Sequence, residues 1–187
     1  MSTNPKRLGK YELQECLGRG GMGEVWKALD TQLNRYVAIK FLHSDLQNDP
    51  NFIARFQHEA QIIASLHHPN IVQLYDFQVS QPSTAENAIC YMVMNYVEGQ
   101  TLAQYIRSMS REGKYPSTID IVPLFASISL AVDYAHQKGM IHRDIKPSNI
   151  LLDRSNTAHN PMGEPILTDF GIAKLLGTPT VTLGSSW

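Results

Sequence analysis

His142, Arg143, Asp144, Ile145, Lys146, Pro147, Ser148 and Asn149 are consecutive and lead into Ile150-Leu151-Leu152-Asp153. An aspartate, a lysine two positions on and an asparagine five positions on can converge from one turn. The aspartate would accept a hydroxyl proton, the lysine would neutralise a phosphoryl group, and the asparagine would coordinate a metal through its amide oxygen. Further along, Asp169-Phe170-Gly171 supplies a carboxylate for Mg2+, a packing aromatic and a flexible glycine. Mg2+ takes hard oxygen ligands and shares them with phosphates, so one Asp and one Asn suffice.

Gly18-Arg19-Gly20-Gly21-Met22-Gly23 fits G-x-G-x-x-G, a pattern that on its own equally marks any tight turn. In a dinucleotide-binding fold such glycines lead from a strand into a helix, with an acidic residue about 20 positions on. Here they lead into Glu24-Val25-Trp26-Lys27-Ala28, a strand pattern, and the residue 17 beyond Gly23 is Lys40. The loop therefore joins two strands, and its N–H groups can close over phosphate oxygens. Val25 stands where an apolar side chain would cover a flat base. Lys40 ends Val37-Ala38-Ile39-Lys40 and is either a solvated strand terminus or a cation aimed at phosphate. The second reading needs a carboxylate partner, and Glu59 can supply one from a neighbouring helix, although a glutamate so placed can equally be solvated.

These residues need elements to hold them. Tyr11 to Leu17, Glu24 to Asp30 and Arg35 to Leu42 read as strands, rich in Val, Tyr, Trp and Ile and separated by turns. Asp49 as N-cap and Pro50 at the first helical position open a helix whose apolar face is Phe52, Phe56, Ala60 and Ile63. His68-Pro69-Asn70 ends it. Ile71 to Val79 and Ala88 to Tyr96 read as further strands, followed by a short helix over Thr101 to Arg111. A long buried helix follows over Ile119 to Lys138, with Pro123 in its first turn and Gly139 as its stop. Ile141 to Leu152 and Pro165 to Ile172 form strand-and-turn segments around a polar insertion, RSNTAHNPMGE. A break near Val97 to Gly99 divides a mostly β part from a mostly α part, predicting two lobes and a hinge.

Composition narrows the classes. Hydrophobic residues are 43% and charged residues 18% of 187, which excludes disorder and collagen-like repeats. The net charge of −1 argues against a nucleic-acid binder or a polybasic membrane-surface protein. Cys16 and Cys90 match neither a disulfide framework nor a metal-ligand spacing, so a reducing cytoplasmic setting is expected. The strongly apolar run Ile121 to Val132 is short of the ~18 to 20 residues of a membrane span, and the N-terminus lacks a signal-peptide core.

With the Gly-rich loop, the VAIK lysine, the helix glutamate, HRD and DFG in order and at matching spacing, the sequence resembles a eukaryotic-type serine/threonine protein kinase. GRGGMGEVW and HRDIKPSNILL look most like the bacterial branch. The resemblance implies an α+β bilobal fold: a tail over 1–10, an ATP lobe to the hinge over 11–97, and part of the larger lobe over 98–187. It implies that ATP and Mg2+ are used and that the substrate is a protein Ser/Thr hydroxyl, with no nucleic acid involved. Lys40 would contact the α- and β-phosphates and pair with Glu59. Asp144 would be the base, Lys146 would meet the transferred phosphoryl, and Asn149 and Asp169 would hold Mg2+. Gly18, Gly20, Gly21 and Gly23 would cover the phosphates. Leu17, Val25, Ala38 and Leu151 would sandwich adenine, Met94 would be the gatekeeper, and Tyr96 and Val97 the hinge. Ile63, Leu74, His142 and Phe170 match a column of stacked side chains linking the lobes. Arg143 would pair with a phosphorylated Thr178, Thr180 or Thr182, among which nothing chooses.

Three departures stand out. Asn95 replaces the more usual glutamate after the gatekeeper; that position offers adenine a backbone group, so a small effect is expected. The RSNTAHNPMGE loop is longer than usual and is expected to be a surface elaboration. The family domain runs to roughly 250 residues or more, whereas Trp187 falls before any A-P-E motif. The expectation is the N-terminal portion of a kinase, the alternative a truncated kinase-like module that binds nucleotide or a partner without catalysis.

Overall fold

The computed structural model describes residues 6–20, 23–42, 50–80, 89–155, 157 and 160–170, without the side chains of 50–53, 55, 56, 59, 80 and 89. Six antiparallel strands form the first lobe: β1 (Arg7–Leu8), β2 (Tyr11–Gly20), β3 (Gly23–Asp30), β4 (Arg35–Leu42), β5 (Leu74–Ser80) and β6 (Ile89–Asn95), in the order β1-β2-β3-β4-β6-β5. Helix α1 (Pro50–Ser65) lies between β4 and β5 in the chain. The second lobe holds β7 (Gly99–Thr101), α2 (Leu102–Arg111), α3 (Thr118–Gln137), β8 (Ile150–Asp153) and β9 (Glu164–Leu167), the three strands pairing as β7-β8-β9.

Strand alternation gives the large sheet two distinct faces. Val37 and Ile39 of β4 point to one side, into a cluster with Tyr11, Leu13, Ala28 and Val93. Ala38 of β4 and Met92 and Met94 of β6 point to the other, joining Ala60 and Ile63 of α1 and a core that continues into the second lobe. Lys40 follows Ala38 at the same parity, so the pattern that buries Val37 and Ile39 also turns Lys40 toward the interior between the lobes.

The lobes are stitched by backbone. Leu167 N–H donates to the Asn70 carbonyl at 2.8 Å, and Val72 N–H donates to the Leu167 carbonyl at 2.9 Å. This explains why β5 begins at Leu74 and not at Ile71: Ile71 bridges in parallel to Leu167 of the other lobe. Helix α2 starts on a capping box, Thr101 Oγ1 accepting from Gln104 N–H and the Gln104 side chain accepting from Thr101 N–H. Helix α3 is capped at Ser117, earlier than expected, so Pro123 falls in its second turn and not its first.

By length and composition α3 could cross a membrane, against the expectation that no stretch would. Here it packs Leu124, Ile128, Ala131 and Ala135 into the core, and its other side exposes Ile119, Val122, Phe125 and Leu130. Both cysteines are free, and Cys90 is buried.

The insertion between β8 and β9 is more than a surface elaboration. Asn160 is 2% exposed; its amide donates to the Asp120 carbonyl of α3 at 3.1 Å, and its oxygen accepts from Met162 N–H at 2.9 Å. The loop end is thus fastened to the start of α3, with Met162 buried beside it. Removing a buried two-way hydrogen-bonding group leaves its partners unsatisfied, at a cost of ~1–3 kcal/mol. Asn160→Ala is expected to lower the stability of the folded chain by that amount in a denaturant titration, whereas Thr157→Ala, at an exposed position of the same loop, leaves it unchanged.

Candidate active site

The geometry of the site begins with how α3 ends. Gly139 takes φ +77°, donating its N–H to the His136 carbonyl, while Met140 N–H donates to the Ala135 carbonyl, both at 2.9 Å. This left-handed stop satisfies the helix's last carbonyls and tucks Met140 against the core. The chain leaves it directly into His142.

His142 is 1% exposed and makes the loop's two anchoring bonds. Its Nε2 lies 2.9 Å from the Thr168 carbonyl and its Nδ1 accepts from Asp144 N–H at 3.3 Å. A carbonyl can only accept and an N–H can only donate, so the ring is the neutral tautomer protonated at Nε2. Its ring also packs on Phe170 with centroids 4.6 Å apart. Ile63, Leu74 and Phe170 lie in the same apolar cluster, and the His142–Phe170 contact joins two members of the expected column.

Asp144 is held from two sides. Lys146 Nζ is 2.8 Å from Oδ2, and Asn149 Nδ2 donates to Oδ2 at 3.0 Å and to the Asp144 carbonyl at 2.8 Å. The Lys146 ammonium, helped by Asn149, holds the Asp144 carboxyl below its ordinary value against the opposing effect of desolvation. Asp144 is therefore ionised at neutral pH, able to orient a hydroxyl and take its proton. With its nitrogen spent on Asp144, Asn149 keeps its amide oxygen for another partner.

Across the lobes, Lys40 Nζ donates to Asp169 Oδ1 at 2.6 Å, with the lysine side chain 6% exposed. Asp169 adopts φ +61°, a left-handed conformation uncommon for a side-chain-bearing residue. The Glu59 side chain lies outside the described residues; the backbone of residue 59 belongs to α1 as expected. The described partner of Lys40 is Asp169.

One cleft of about 680 Å3 collects nearly all the expected residues: Leu17, Gly18, Gly20, Gly23, Val25, Ala38, Lys40, Met94, Tyr96, Val97, Leu151, Asp144, Lys146, Asn149 and Asp169. That volume suits a small organic ligand. Gly21, Gly171, Thr178, Thr180 and Thr182 lie outside the described residues, as do Asp49 and the side chains of Phe52 and Phe56. Gly23 takes φ +142°, and a Cβ there would overlap the Phe41 carbonyl, so the loop closes on β4 only with glycine. Arg19 bonds Glu24 at 3.1 Å across the hairpin, and Trp26 Nε1 donates to the other Glu24 oxygen at 2.9 Å. Lys27 Nζ lies 4.3 Å and 4.6 Å from the ring centroids of Tyr36 and Tyr96, a cation shared by two aromatic rings that helps to hold Tyr96.

The cleft wall also holds Arg19, Val72, Thr101, Gln104 and Thr168, which the sequence did not point to, and Asn95, whose position was expected to offer adenine a backbone group. Thr168 was within reach, since it directly precedes Asp169. Val72 and Gln104 carry no local signal.

The oxygen donors fit Mg2+. Asn149 offers a hard amide oxygen and Asp169 a carboxylate. Among the described residues no cluster of three or more His, Cys, Asp or Glu could hold a metal by itself. This suits an ion that fills its remaining positions with phosphate and water.

The model of the protein kinase domain family matches residues 11–187, and the chain belongs to that family. It is 43% identical over 178 residues to serine/threonine-protein kinase PrkC of Bacillus subtilis, covering 95% of this chain and 25% of that protein. To serine/threonine-protein kinase PknB of Mycobacterium leprae it is 39% identical over 180 residues, covering 96% of this chain and 27% of that protein. The chain thus spans about a quarter of the length of these curated relatives. Among solved structures it is similar to the Mycobacterium tuberculosis PknI kinase domain, with a TM-score of 0.71 and 27% identity, over 92% of this chain and 64% of that one. The fold is that of a protein kinase.

Burial lowers the affinity of His142 for a proton below the ordinary histidine value of 6.5. A proton on Nδ1 would also face the Asp144 N–H. Between the two values the unfolded chain binds the extra proton, so this stabilisation is complete above about pH 6.5 and is lost as pH falls below it. His68, lowered by burial as well, acts in the same sense. The melting temperature should fall from about pH 7.5 to about pH 5.5, and by less in His142→Gln, whose amide can still donate to Thr168.

Proposed function

We propose that the cleft binds Mg·ATP and that the chain carries the phosphoryl-transfer centre of a serine/threonine protein kinase. The observation that carries this reading is the convergence on one cleft of Lys40 and Asp169 at 2.6 Å with the Asp144–Lys146–Asn149 cluster. Adenine would lie between Leu17, Val25 and Ala38 on one side and Leu151 on the other, bounded by Met94, Tyr96 and Val97. The N–H groups around Gly18, Gly20 and Gly23 would close over the phosphates. Lys40 would exchange part of its contact with Asp169 for the α- and β-phosphates, with Glu59 as a second carboxylate.

Asn149 and Asp169 would hold Mg2+, which when bound would neutralise charge on the phosphates. Asp144, already ionised, would orient the substrate hydroxyl and receive its proton as the oxygen attacks the γ-phosphorus. Lys146, 2.8 Å from Asp144, stands where it would meet the charge on the transferred group. A Ser/Thr acceptor is supported by the Lys146-Pro147 pair and by relatives named serine/threonine-protein kinases. An ATP-dependent centre would work in the cytoplasm. The alternative, a nucleotide-binding or interaction module without transfer chemistry, leaves the Asp144–Lys146–Asn149 cluster without a task.

Phosphate incorporation from γ-labelled ATP into a generic Ser/Thr protein substrate, or into the chain itself, distinguishes the two readings. The proposal expects Asp144→Asn to lower the rate by about 10^2- to 10^4-fold while nucleotide binding persists. Nucleotide binding by the unmodified chain with no transfer would favour the module.

A further inference from the structure

Asn95 closes β6 and forms part of the cleft wall. Its main-chain N–H donates to the Gln73 carbonyl at 3.0 Å. In an antiparallel pair of this kind the return bond would run from Gln73 N–H to the Asn95 main-chain carbonyl. Here Gln73 N–H donates instead to the Asn95 side-chain oxygen, at 2.6 Å. The side chain takes the place of its own backbone and leaves the Asn95 carbonyl out of that pairing. The donor is itself fixed, because Gln73 Nε2 donates to the Leu74 carbonyl at 3.1 Å and to the Ala64 carbonyl near the end of α1 at 3.3 Å.

We infer that Asn95 is a positioning residue of the nucleotide cleft: its side-chain oxygen satisfies Gln73 N–H so that its main-chain carbonyl stays available to a ligand at the cleft wall. This rests on the reading of the cleft as an adenine-nucleotide site, and it reverses the expectation that an asparagine here has little effect. Without the side-chain oxygen, Gln73 N–H has the Asn95 main-chain carbonyl as its nearest substitute. Completing that pair draws the carbonyl away from the cleft. A carboxylate at position 95 could still accept the N–H and keep the arrangement.

Dissociation constants for Mg2+ with a non-hydrolysable ATP analogue, and for adenosine alone, test this by calorimetry on the purified chain. Asn95→Ala is expected to weaken both ligands by the same factor, about three- to tenfold, and Asn95→Asp to stay within about twofold of the unmodified chain. Should the alanine variant not fold, Asn95→Leu, which keeps the volume without the acceptor, carries the same expectation. Unchanged affinity in Asn95→Ala, even with a lower melting temperature, would mean a merely structural bond and overturn the inference. Equal weakening in Asn95→Asp and Asn95→Ala would do the same. If the unmodified chain bound neither ligand, the nucleotide reading itself would fail, an outcome distinct from either of these.

Discussion

A lysine ammonium held almost out of water is unstable unless a carboxylate meets it, and in this chain that carboxylate comes from 129 residues away. The contact between Lys40 and Asp169 is the constraint around which both lobes are arranged. On one side it requires β4 to alternate so that Val37 and Ile39 are buried on the far face while Ala38 and Lys40 look inward. On the other it requires the backbone at Asp169 to turn left-handed. The residues on either side of Asp169 are fixed by His142, through a bond to the Thr168 carbonyl and a ring contact with Phe170. A phosphate entering the cleft would meet a cation already in place and a partner able to share it. Pre-positioned charge of this kind lets a site act by electrostatics with little reorganisation.

The Asp144–Lys146–Asn149 cluster is fixed by a different device. The glycine stop of α3 delivers the chain to His142, whose neutral ring ties Asp144 N–H to Thr168. Asn149 then folds back on Asp144 through its amide nitrogen, and its main-chain carbonyl accepts from Thr168 N–H at 2.9 Å. Thr168 is therefore held twice, by the ring of His142 and by the backbone of Asn149. The two motifs, far apart in sequence, are joined at Thr168, whose carbonyl is held by the imidazole of His142 and whose N–H is held by a main-chain carbonyl. The side chains left over, Asp144, Lys146 and the oxygen of Asn149, are those that would meet substrate and metal.

What could be read from the chain was what depends on neighbours in sequence. The glycine loop between two strands, the strand that carries Val37-Ala38-Ile39-Lys40, the helix opening at Pro50 and the stop at Gly139 all follow from local rules, and the structure agrees with each. Features that depend on distant partners were not legible. Ile71 and Val72 look like the start of a strand, but Ile71 N–H turns back to the His68 carbonyl and Val72 N–H donates to Leu167 of the other lobe. Asn160 sits in a polar run typical of an exposed loop, yet the Asp120 carbonyl makes it a buried anchor. Asn95 reads as a mild departure because its role comes from a main-chain N–H, at Gln73, that no residue type announces. Pro123 moved from the first turn to the second because Ser117 supplied a cap earlier than the apolar pattern suggested.

The central claim is that the cleft is organised to bind Mg·ATP through Lys40, and a thermal melt of the purified chain with and without Mg·ATP, beside Lys40→Met, tests it most directly. At a nucleotide concentration about 100 times the dissociation constant, linkage predicts about 2.7 kcal/mol of added stability, a clear rise in melting temperature for the unmodified chain and little or none for Lys40→Met. No rise in the unmodified chain, or an equal rise in both, would contradict the account.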